Sequence, residues 1–311
     1  MHSEKTARTE KFAPFFNLTF FAREERRRKI QKNKKEKNPG AAPLEFRINP
    51  MRIFTLFSAY LRLGVQNELQ YRANFFIQSF TSVLELCAGL AELHVIFSQT
   101  DNLGGWRQGE LRALLGVFFI VGGCINMLIA PSMRRLMEDV RQGTLDYALT
   151  KPEDAQMLVS LRQFEIWKAT DILLGAIVLG QALVGLGEHI SAQQLALFGG
   201  TLLAGVTVVY CFWLMLATCT FWFVRMDNIL FIFQSMYDAG RWPLSIYPGW
   251  LRLLLTFLVP VAFAVTVPAE ALVGRSEPHA LLYSIALAAF MMLLSRWFWK
   301  FGVKHYSGAS A

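Results

Sequence analysis

The chain has 311 residues, of which 54% are hydrophobic, 14% aromatic and only 17% charged, and its mean hydropathy is +0.34. A soluble domain carries about 25% charged residues, so this chain has too few to cover a water-facing surface. Its formal charge of +8 does not mark a nucleic-acid binder: residues 1–50 hold 13 Lys/Arg against 6 Asp/Glu, residues 51–311 hold 18 against 17, and no reading fold accompanies the basic stretch.

From the N-terminus, residues 1–50 read as a basic, disordered extension, with the runs Arg23-Glu-Glu-Arg-Arg-Arg-Lys29 and Lys32-Asn-Lys-Lys-Glu-Lys37. Such runs stay solvated and are suited to anionic lipid headgroups. The apolar stretch Phe12–Phe21 is short, interrupted by Pro14 and Asn17 and followed by the basic run, unlike a secretory signal. Met51 opens a new pattern and is read as an alternative start of translation. Residues 51–311 form the membrane domain. Its first element is amphipathic: Ile53, Phe57, Tyr60, Leu61, Val65 and Leu69 recur at helical spacing, with Thr55, Arg62, Gln66, Asn67 and Gln70 elsewhere. That pattern predicts a helix lying on the membrane surface.

A helix needs about 20 apolar residues to cross a bilayer. Six stretches qualify: Ala73–Phe97, Leu111–Met133, Trp167–Leu186, Leu195–Val224, Leu251–Val273 and Ala280–Trp299. The fifth holds Pro260 and Pro268, which predict a kinked or broken helix. The fold class is therefore all-α, a polytopic membrane protein with six transmembrane helices and an interfacial N-terminal helix. Lys and Arg concentrate on the cytoplasmic side of such proteins. With both termini in the cytoplasm, segments 1–72, 134–168, 225–252 and the C-terminal tail hold 28 Lys/Arg, and the outer connections hold 3. Trp106, Trp167, Trp222, Trp250, Trp297 and Trp299 stand near span ends, and Trp213 is placed between helices. Cys87, Cys124, Cys211 and Cys219 form no C-x-x-C pair or zinc spacing and read as small core residues.

Charge at membrane depth is costly and points inward to a bundle or a watery cavity. Glu85 and Glu92, seven residues apart, share a helical face in the first span and are candidates for a polar lining. His94 and Asp171, nearer span ends, read as interhelical or interfacial groups, and Asn126 and Gln181 as helix–helix partners. The longest informative connection is residues 133–166. Arg134–Gln142 reads as a short helix with Leu136, Met137 and Val140 on one side, Gly143 as its C-cap, and Asp154 as the cap of the helix into the third span.

The segment Gly143-Thr-Leu-Asp-Tyr-Ala-Leu-Thr-Lys-Pro152 resembles the G-T-L-[ED]-x-x-L-x-x-P signature in the first cytoplasmic loop of ABC type-2 exporter permeases, of the six-helix "ABC-2 family transporter protein" branch. Further likenesses are Tyr71-Arg-Ala-Asn-Phe75, Gly104-Gly-Trp106, Ser160-Leu-Arg-Gln-Phe164, Tyr247-Pro248, Leu258-Val-Pro260, Val267-Pro268-Ala269, Arg296-Trp-Phe-Trp-Lys300 and Tyr306-Ser-Gly-Ala-Ser310. They span residues 51–311 in order. The resemblance implies a non-catalytic permease subunit in a bacterial cytoplasmic (inner) membrane, working with an ABC ATPase dimer and a second permease chain, identical or homologous. It places the ATPase-coupling role on Leu136, Met137, Val140, Gly143, Thr144, Leu145, Asp146, Lys151 and Pro152. No G-x-x-x-x-G-K-[ST] loop occurs in the sequence, so ATP and Mg are expected on the partner and no cofactor on this chain. From the residues alone two rivals stay open. One is an ion-coupled secondary transporter relaying protons through Glu85 and Glu92. The other is a membrane-embedded lipid or isoprenoid enzyme, although no H-E-x-x-H, G-x-S-x-G or Asp-rich motif is present.

Overall fold

The apolar runs fold as helices because only a helix satisfies every backbone group within one segment in lipid. The computed structural model describes residues 57–66, 72–151, 153–186, 191–223, 227–258, 260, 262–276 and 279–306, all within the compact unit Asn49–Ala311. The basic extension and the proposed start at Met51 lie outside the described residues, as does Pro152. Among the described residues the secondary structure is helical throughout, apart from an isolated bridge between Leu103 and Trp106.

Helix α1 covers 57–66, the described part of the expected surface helix. The Phe57 ring meets Phe164 edge-on at 5.5 Å, so part of its apolar stripe is docked on protein. Helix α2 (Arg72–Phe97) is the first span. A tight turn then leads into α3 (Gln108–Cys124), a π-helical turn (Ile125–Ile129) and α4 (Ala130–Gln142). These three run on as one 35-residue helix. At 1.5 Å per residue it reaches about 50 Å, against about 30 Å of hydrocarbon. The expected separate helix Arg134–Gln142 is thus the projecting end of the second span. The π turn has a local cause: Pro131 has no N–H to give the Met127 carbonyl, and that carbonyl accepts from the Glu165 backbone N–H at 3.0 Å instead.

Short helices α5 (Asp146–Leu149) and α6 (Ala155–Ser160) fill the loop before α7 (Ala169–Leu186). Asp154 caps α6, accepting from the Gln156 and Met157 N–H groups, and five further residues separate α6 from the 3-10 turn that precedes α7. The cap therefore serves a separate helix rather than the third span itself. Helices α3 and α7 cross at Gly116 and Gly175. A Cβ on Gly175 would stand 2.7 Å from the Gly116 carbonyl oxygen, and one on Gly116 would stand 2.9 Å from that of Gly175, so the two backbones touch. Helix α8 (Ala192–Thr218) is the fourth span and α12 (Ala280–Val303) the last. Among the described residues five helices are long and apolar enough to cross a membrane, and none of them lies within Leu251–Val273.

The region between α8 and α12 departs from the expected topology. Helix α9 (Asp227–Asp238) lies within the segment assigned from charge to a cytoplasmic connection. Its first half shares a cleft with Arg134, Arg135 and Trp213, at the end of the bundle that bears the long loop. Beyond its last turn, Arg241 pairs with Glu92 at 3.5 Å, and Ser245 donates to the Gly104 carbonyl at 2.6 Å, at the opposite end. Helix α9 therefore runs through the bundle, and Arg241 and Arg252 belong with the 98–107 turn rather than with the long loop. Moving them does not reverse the charge asymmetry. Helix α10 (Gly249–Leu253) with its π turn (Leu254–Leu258), and the π turn Ala262–Thr266 with α11 (Val267–Leu272), form two short arms either side of Pro260. Both arms are anchored at the Gly104 end. Arg252 donates to the Leu244 and Ser245 carbonyls, and Arg275 to Glu110 at 3.0 Å and to the Gly105 carbonyl at 2.6 Å. An arm of about ten residues reaches about 15 Å, half the hydrocarbon depth. The predicted fifth crossing is a re-entrant pair, and its interrupted backbone is sheltered by protein, with Leu255, Ala264 and Val265 buried.

Of the tryptophans placed at span ends, Trp222, Trp250 and Trp297 are exposed, whereas Trp106 and Trp299 are buried; Trp213 is buried. Cys211 is buried, but Cys87 faces outward from α2.

Candidate functional site

Two features stand out, a loop anchored at one end of the bundle and a polar groove that begins beside it. The loop starts where α4 ends. Gly143 takes φ 72° and ψ 12°, a left-handed conformation that costs glycine little. The Thr144 N–H reaches the Asp139 carbonyl at 2.9 Å and the Gly143 N–H that of Val140 at 3.3 Å. This pair of bonds closes the helix with the two-bond glycine cap.

Leu136 and Met137 are 1% and 4% exposed, and Leu145 is fully buried. Val140 and Leu149 pack against the same core. The side chains expected to offer an apolar docking face are spent on holding the loop to its own bundle. Of the others named for coupling, Thr144 bonds Asp139, Asp146 is half-buried in the first turn of α5, and Lys151 is exposed. The large apolar group left outside is Tyr147, 75% exposed. It was not among the residues singled out from the sequence. The signal was the spacing Leu145…Ala148, which turns both residues inward and leaves Tyr147 facing away.

The loop is held by charge as well. Asp139 is fully buried and pairs with Arg162, with Arg135 at 3.3 Å, and with the Thr144 hydroxyl at 2.9 Å. Farther along, Arg296 of α12 grips Asp154 through both terminal guanidinium nitrogens and donates to Gln156 Oε1 at 2.8 Å, while Ser160 and Tyr210 of α8 share a 2.7 Å hydrogen bond. Burial alone would raise the Asp154 carboxyl; the Arg296 guanidinium and the Gln156 and Met157 N–H groups hold it below the usual carboxylate value. Burial raises the Glu165 carboxyl, against the opposing charges of Arg134 and Lys168. None of Asp139, Arg162 and Arg296 stands out by residue type, and only the fold brings Arg162 to Asp139 and Arg296 to Asp154.

The groove has a volume of about 820 Å³ and lies among α2, α3, α7 and α9. It extends from Arg134 and Glu165 at the loop end to Arg241 at the other. Glu85 and Asp171 line it, as does Asn126. Glu92 is paired with Arg241 at its rim, His94 is exposed on α2, and Gln181 is exposed on α7. The two glutamates placed on one face by their spacing thus have different surroundings. Gln234, Tyr237 and Asp238 complete the wall from α9, which sequence reading had assigned to a connection. Among the described residues no three His, Cys, Asp or Glu side chains gather as a metal site.

The chain was compared with known proteins. It finds no match among curated proteins and none among solved structures. The family described as "ABC-2 family transporter protein" matches residues 83–310, a range that takes in the anchored loop, the re-entrant arms and nearly all of the groove wall. The chain belongs to that family and is a multi-pass membrane permease of the ABC-2 type.

Proposed function

We propose that this permease is the membrane subunit of an ATP-driven exporter in a bacterial cytoplasmic membrane. In this reading a separate ATPase, an ABC dimer carrying ATP and Mg, docks on the loop at 143–162, and a second permease chain faces the groove. One observation carries it: the same continuous helix, Gln108–Gln142, ends in the loop and lines the groove through Phe118, Phe119 and Asn126. A push on the loop must then move the groove wall, because a packed helix shifts as a rigid body. The test is affinity purification in mild detergent. An ATPase that co-purifies and hydrolyses ATP in response to substrate supports the reading. Transport driven by a pH gradient with no ATPase bound would overturn it in favour of the proton-coupled alternative through Glu85 and Glu92.

The excess of Lys and Arg at the loop end supports a cytoplasmic position for that end and an outer one for the Gly104 end. Ser245→Cys, in a background with the four native cysteines replaced by alanine, is expected to react with a membrane-impermeant maleimide in intact cells. Tyr147→Cys is expected to react only after permeabilisation. A cytoplasmic position for 225–252, as charge alone suggests, predicts labelling of both positions only after permeabilisation.

A further inference from the structure

We propose that the groove holds a subsite for a protonated amine, formed by Asp171 and Gln234, so that the transported molecule is an amphiphile carrying an N–H-bearing cation. The proposal rests on the groove being the transport route. Asp171 is only 6% exposed, and Lys168 donates to its Oδ2 at 2.9 Å. Its Oδ1 is buried without a hydrogen-bond partner, and so is Gln234 Oε1. Both residues line the same cavity. A buried acceptor without a donor is costly, and here both belong to residues that line one cavity.

Neighbouring groups do not supply the missing donors. Tyr237 gives its hydroxyl proton to the Phe118 carbonyl at 2.9 Å, and Arg241 is turned to Glu92. Gly122 and Gly123 of α3 let the groove walls approach closely, Gly123 lying against Ile172 of α7 and Gly122 against Tyr237 of α9. A Cβ on Gly123 would lie 3.2 Å from Asp171 Cβ, and one on Gly122 would lie 3.4 Å from Tyr237 Oη. The orphaned atoms are both acceptors, so they favour a ligand that donates and repel an anion. The groove carries four carboxylates against three basic side chains, the opposite of a chain whose formal charge is +8. Beside the acceptors, Phe118 and Tyr237 stack at 4.9 Å and 18°, a flat apolar wall for the remainder of the molecule.

The experiment uses the purified permease in nanodiscs of zwitterionic lipid, with dansylcadaverine as a fluorescent primary amine and its N-acetylated derivative as control. The wild type is expected to bind the amine about tenfold or more tightly than the acetylated form. Gln234→Met and Asp171→Asn are each expected to reduce that preference by about tenfold, the effect of one charge-assisted hydrogen bond. Gln234→Met leaves the Lys168–Asp171 pair in place, so it decides the matter even if Asp171→Asn fails to fold. Equal binding of the two probes, or full preference retained in the Gln234→Met protein, overturns the subsite. Because binding is read without an ATPase, that failure would leave the permease reading standing. Conversely, loss of ATPase association would not remove a measured amine preference.

Discussion

Replacing Arg162 with leucine is expected to destabilise the permease by about 3–5 kcal/mol, and by more than replacing Arg162 and Asp139 together with leucine. The asymmetry comes from where the charges sit. Asp139 is fully buried, whereas Arg162 is 29% exposed. Removing the arginine strands a carboxylate that cannot reach water, and breaking a buried pair from one side costs about that much, whereas deleting both partners is far milder. Arg135, at 3.3 Å from Asp139, and the Thr144 hydroxyl remain, which argues for the lower end of the range. Thermal unfolding of the three proteins in the same detergent gives the order: wild type most stable, the double variant next, Arg162→Leu least. An Arg162→Leu protein as stable as the wild type would show that Asp139 does not depend on this pair. The loop should detach from α4 in the single variant, so ATPase co-purification is expected to fall with it.

The second large effect is expected at Tyr147. Tyr147→Asp should leave insertion and unfolding temperature unchanged, because the residue is 75% exposed. A buried tyrosine anchor in an interface contributes about 2 kcal/mol or more, so binding of the ATPase should weaken about thirtyfold and substrate-stimulated hydrolysis should be lost. Leu136→Asp would also abolish coupling, but by unfolding the loop, since Leu136 is 1% exposed. Measuring co-purification and thermal stability side by side separates the two. If the Tyr147→Asp permease retains its partner and full coupled hydrolysis, the docking surface lies elsewhere on the loop.

The sequence by itself determined the membrane setting, the family and the helical segments. These follow from run length, because about 20 apolar residues must be helical in lipid whatever their neighbours. It also fixed the end of α4, since glycine at that position takes the left-handed conformation locally. Tertiary structure decided the rest. Leu251–Val273 has the length and hydropathy of a span, yet it folds as two short arms, because Pro260 interrupts it, Arg275 ties one end to the Gly105 carbonyl, and Arg252 holds the other to Ser245, which itself bonds Gly104. Helix α9 hid in a segment read as a charged connection, and with it Gln234, Tyr237 and Asp238 of the groove. Periodicity shows which face of a helix is apolar, but not whether protein or lipid covers it. For that reason Leu136 and Met137 looked like a docking face until α4 was seen packed against its own bundle, and Tyr147 emerged as the side chain left outside.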